Sequence, residues 1–92
     1  MDVRDQISSK IIEEQELIIG PLAWDEAQKV DGLRVVASVH TAHIEGDTRS
    51  VLHALVARYE RLFGEASRQV SRDAARPLVS KLPKNQLPLT LQ

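Results

Sequence analysis

Val3, Ile7, Ile11, Ile18 and Leu22 recur at one or two helical turns, and Ile12 and Ile19 widen the apolar stripe. Acidic residues take much of the remaining circumference, so the spacing predicts an amphipathic helix over residues 3–19. Gly20-Pro21 breaks it, because proline has no N–H for the carbonyl of Leu17 and pushes its predecessor out of the helical region. Proline also suits a first helical position, and Asp25 and Glu26 follow where a helix start favours negative charge. A kinked short helix over residues 21–30 is expected, stopped by Asp31-Gly32.

From Leu33 to Ile44 the period shortens. Leu33, Val35, Ala37 and Val39 alternate with Arg34 and Ser38 among β-branched neighbours, which predicts a strand or short hairpin over 33–44. A lone strand leaves unpaired edges, so it must fold on itself or pair with the same strand of a second subunit. Asp47 then stands as an N-cap before Val51, Leu52, Leu55, Val56, Tyr59, Leu62, Phe63, Ala66, Val70 and Ala74. This pattern predicts one long helix over 48–76, with Gly64 a point of bending and Pro77 ending or kinking it near Arg76. Residues 1–83 read as a single small domain, and 84–92 as an extended or disordered tail displaying Leu87, Leu89 and Leu91 on one side. The fold class is therefore mainly α with a small β element.

Setting each residue against the one 44 positions later aligns 11–20 with 55–64. Both segments read apolar-apolar-x-x-x-Glu-x-apolar-apolar-Gly, which suggests two helical units joined by the β segment. The run Ile19-Gly20-Pro21-Leu22-Ala23, followed by Ala27 and Val30, resembles helical accessory segments of bacterial signalling proteins. Ile19 stands where an aromatic is more usual, and Asp25 and Glu26 replace basic residues. The resemblance covers residues 19–30, implies an interaction or oligomerisation element, and brings no catalytic residue with it.

Composition narrows the function classes. The 92 residues include no cysteine, which removes disulfides, thiolate zinc sites and thiol nucleophiles and suits a reducing compartment. One Phe, one Tyr and one Trp cannot build a base-stacking platform. No apolar run reaches the ~18 residues of a membrane span, and the N-terminus lacks a signal-peptide pattern, so a cytoplasmic location is expected. The net charge of −1 conceals an asymmetry: residues 1–47 hold ten acids against four bases, and residues 48–92 eight bases against three acids. Opposite halves suit pairing within a chain or across a dimer.

Candidate chemistry is sparse. His40 and His43, with Glu45, Asp47 and His53, are metal-ligand types, yet residues three apart on a strand point to opposite faces. The serines lack a nucleophile elbow, the four glycines make no phosphate loop, and Glu13, Glu14 and Glu16 lie on an exposed helix face. No catalytic residue, metal or cofactor is therefore expected. The strongest candidate surface is the long helix, where Arg58, Arg61, Arg68, Arg72 and Arg76 share a narrow arc beside Leu55, Tyr59 and Leu62.

The reading is a non-enzymatic protein–protein interaction module, a dimerising adaptor or small subunit in cytoplasmic signalling or assembly. Apolar anchors Leu55, Tyr59, Leu62 and Phe63 are rimmed by Arg58, Arg61, Arg68 and Arg72. A homodimer with residues 7–19 and 51–70 at its core is expected, together with a further protein partner and no membrane. The alternative is a small nucleic-acid-binding regulator using the arginine stripe, against which stands a sequence pI near 6.3.

Overall fold

The computed structural model describes residues 2–92. The chain is mainly helical with a two-stranded antiparallel sheet. Its main elements are α1 (Val3–Ile19), α2 (Leu22–Ala27), β1 (Leu33–Val36), β2 (Thr41–Ile44), α3 (Thr48–Phe63) and α4 (Glu65–Val79). Helix α1 starts at Asp2, whose carboxylate accepts from the Arg4 N–H, and α3 starts at Asp47, whose carboxylate accepts from the Ser50 N–H. Both are N-caps supplied by the residue type that satisfies orphan amides of a first turn.

The expected long helix is two. Gly64 adopts φ 92° and ψ 178°, ending α3 through its N–H to the carbonyl of Glu60, and α4 begins at once. That backbone region is essentially open to glycine alone, so the glycine stops the helix rather than bending it. Pro77 does not end α4. It sits in the last turn, which continues to Val79.

Helices α1 and α4 run antiparallel across the core. Gln15 meets Ser67 and Ser71 near the start of α4, whereas Leu78 near its end shares a groove with Gln6 and Ser9. Small residues make this approach possible: Ser67, Ser71, Ala74 and Ala75 form the buried face of α4. Against them α1 turns Ile7, Ile11, Ile12 and Gln15. Gln15, 1% exposed, donates to the Ser67 carbonyl at 2.8 Å and to Ser71 Oγ at 3.1 Å, and accepts from Ser67 Oγ at 3.0 Å. A buried amide is tolerated only with its hydrogen bonds made, and here they are made.

Strands β1 and β2 pair with Leu33 opposite Ile44 and Val36 opposite Thr41. His40 closes the intervening turn in the left-handed region (φ 52°) and stacks on Trp24 of α2, with ring centroids 4.8 Å apart. The outer edge of β2 is sealed by α1. Ser9 Oγ accepts from the Ala42 N–H at 3.0 Å and lies 3.4 Å from its carbonyl, while Asp5 accepts from the Ile44 N–H at 2.8 Å. Four residues apart on one helix face, these side chains satisfy strand groups that would otherwise be left open.

Leu52, Leu55, Val56 and Tyr59 of α3 join Ile7, Ile11 and Ile12 in one core within the chain. The residues expected at a dimer core, 7–19 and 51–70, thus contribute most of their apolar faces to the monomer. Chain folding meets most of the demand for apolar cover that suggests a second subunit, leaving the last turns of α1 and α3 uncovered. The segment after Pro83, expected to be extended or disordered, forms two 3-10 turns at Lys84–Gln86 and Leu89–Leu91. Its Leu87 and Leu91 enter the same core, while Leu89 stays outside. The period-two leucine pattern fails because a 3-10 turn, not a strand, carries it.

Candidate interaction surface

The predicted anchors divide into two groups. Leu55 and Tyr59 are wholly buried and unavailable to a partner. The Tyr59 hydroxyl donates to the Ala23 carbonyl at 2.6 Å, tying α3 to the start of α2. Burial, with a smaller effect from the Glu26 charge, pushes the phenol well above its ordinary value, so it stays a donor at neutral pH. Leu62 and Phe63, by contrast, are 45% and 36% exposed.

The predicted arginines divide as well. Arg58 is held against Glu26, with guanidinium nitrogens at 2.8 and 2.9 Å from one carboxylate oxygen, and Lys29 donates to the other oxygen at 3.1 Å. Hydrogen bonds from Lys29 and Arg58 hold the Glu26 carboxyl below its ordinary value. Arg68 pairs with Glu65 at 2.7 Å and lies 3.6 Å from Glu60, and Arg76 pairs with Asp73 at 2.8 Å. Arg61 and Arg72 are exposed and have no carboxylate partner among the described residues. The stripe expected on one continuous helix is split by the stop at Gly64, and three of its five guanidinium groups are engaged by the chain's own acids.

Two further apolar residues outside the predicted set are exposed. Ile18 in the last turn of α1 is 65% exposed, and Leu22 at the start of α2 is partly exposed. Ile18 lies on the same arc of α1 as buried Ile7 and Ile11, and Leu62 and Phe63 lie on the same arc of α3 as buried Leu55 and Tyr59. These side chains are exposed although they belong to the core-facing stripes. Helix α1 runs one turn past the Gln15–Ser67 contact, where α4 has only begun, and α3 runs one turn past the Tyr59–Ala23 contact. Each core stripe overruns its cover. The sequence contained the signal in the stripe's length, but where cover stops depends on the packing of α2 and α4.

The histidines are placed apart. His43 Nδ1 lies 3.2 Å from Asp5 Oδ2 and His40 stacks on Trp24. No group of three His, Asp or Glu residues among those described is arranged to hold a metal ion. No helix among them is long and apolar enough to cross a membrane. Comparison with protein-family models, with characterised proteins and with solved structures finds no match to this chain.

Proposed function

We propose that this chain is a non-enzymatic protein–protein interaction module, a dimerising adaptor or small subunit in cytoplasmic signalling or assembly. The observation that carries the reading is the exposure of Ile18, Leu62 and Phe63 on stripes that elsewhere form the core. Large apolar side chains exposed on a small domain are the usual anchors of a protein interface. Arg61, in the same last turn as Leu62, supplies a free guanidinium at the rim. The absence of cysteine suits a reducing cytoplasm.

The anchors are thus Leu62 and Phe63 of the predicted set, with Ile18 and Leu22 in place of Leu55 and Tyr59. Affinity capture with the wild type, with Ile18→Asp/Leu62→Asp and with the control Val39→Asp tests the reading. Val39 is exposed at the hairpin turn, away from these helix ends. A partner retained by wild type and control but lost in the double variant is the expected result. The same captured proteins in all three would overturn it.

A further inference from the structure

The two edges of the hairpin are treated differently. On β2 the outward groups of Ala42 and Ile44 are taken by Ser9 and Asp5. Those bonds also fix the alternation of the ladder: Ala42 and Ile44 point away from β1, so their cross-strand partners Val35 and Leu33 point away from β2. On β1 the Leu33 N–H is turned back to the Val30 carbonyl. The Leu33 carbonyl, both backbone groups of Val35 and the N–H of Ala37 meet no partner among the described residues. One edge of the hairpin is open while the other is closed by helix side chains.

We propose that β1 pairs antiparallel with β1 of a second copy about a two-fold axis at Val35, making one four-stranded sheet in the order β2-β1-β1-β2. This gives the self-association in the functional reading above a definite location. The open edge is self-complementary in this register. The N–H and carbonyl of Val35 exchange two hydrogen bonds with Val35 of the other copy, and each Ala37 N–H reaches the opposite Leu33 carbonyl. All the unmatched groups are used at once.

Charge selects the same register. Centring on Val35 sets Arg34 opposite Val36 of the other copy, whereas centring on Arg34 would set two guanidinium groups directly opposite, which is destabilising. The neighbouring Glu45 of each chain, 3.3 Å from Arg34, further quiets that charge. A two-stranded hairpin is marginal by itself; this one is supported by α1 on the β2 side, and pairing through β1 would extend it to four strands. The occupant favoured by these features is therefore another copy, because the free groups of β1 match one another under the two-fold and that register keeps the two Arg34 guanidinium groups from facing each other. The strand is short, so the dimer is expected to be concentration-dependent.

The chain has no cysteine, which allows a clean trap. Arg34→Cys/Val36→Cys places thiols opposite each other across the proposed two-fold at a non-hydrogen-bonded pair, where Cα atoms lie ~4.5 Å apart. Mild oxidation should give a covalent dimer, and each single variant should give far less. Val35→Pro removes the outward donor without touching a bond to β2. It should weaken dimerisation seen by light scattering by roughly tenfold to a hundredfold, with circular dichroism and thermal midpoint confirming a folded chain. Wild type that stays monomeric to millimolar concentration overturns the proposal, whatever the capture experiment finds. A dimer that neither cross-links through the double variant nor responds to Val35→Pro also overturns it, and leaves self-association to another surface.

Discussion

Gly20 and Gly64, 44 residues apart, end their helices in the same way. Gly20 has φ 73° and ψ −160°, Gly64 has φ 92° and ψ 178°, and each donates its N–H four residues back, to Glu16 and Glu60 respectively. The repeated Glu-x-apolar-apolar-Gly pattern is thus a repeated piece of backbone geometry, a helix stopped and restarted at a corner. The units differ beyond it, since α2 has six residues and α4 fifteen.

A Cβ at either glycine would meet nothing within 4 Å, so any cost of substitution comes from the backbone alone. Gly20→Ala and Gly64→Ala are each expected to lower stability by about 1–3 kcal/mol in urea unfolding. A neutral result at both would mean that the corners relax without strain.

Gln15 joins α1 to α4 in an otherwise apolar interior. Gln15→Ala leaves the hydroxyls of Ser67 and Ser71 short of partners and opens a void, for a combined loss of about 2–4 kcal/mol. In Gln15→Ala/Ser71→Ala the loss should be less than the sum of the single losses. A double-mutant cycle by chemical denaturation measures that coupling.

Ser9 stands in for a neighbouring strand along β2. Ser9→Ala strips the Ala42 N–H of its acceptor and should cost about 1–3 kcal/mol. Amide exchange should quicken at Ala42, while exchange in α3 changes only through global unfolding.

Glu26 links pH to stability. Its carboxyl is held below the ordinary value of 4.5 by Lys29 and Arg58, so the unfolded chain takes up a proton more readily than the folded one. The stabilisation is fully present above that value. It declines as pH falls below 4.5 and is lost as pH passes through the folded value. Glu26→Gln should flatten the wild-type slope of midpoint against pH on the acid side of 4.5, measured by thermal unfolding across the range.

The elements were legible along the chain wherever local chemistry decides them. The apolar period placed α1 over residues 3–19, Asp47 marked the start of α3, and the β-branched alternation marked the hairpin. Each depends on neighbours within about one turn, or on a contrast between two faces, and a sequence displays both. The role of Gly64 was half legible: its presence was visible, but a stop and a bend differ only in a backbone angle chosen by what the next helix packs against.

The division of the predicted surface was not legible. Leu55, Tyr59, Leu62 and Phe63 form one stripe on a helical projection, and nothing local separates them. The separation comes from long-range contacts, with Tyr59 bonded to Ala23 and α1 set against α4 through Gln15. Arg58 looked like rim until Glu26 came to lie beside it, and the tail looked loose until the core offered room for Leu87 and Leu91. Local residue patterns fix which faces are apolar and where helices start. Tertiary structure decided which apolar positions are covered, because burial belongs to the whole arrangement of elements and to no single helix.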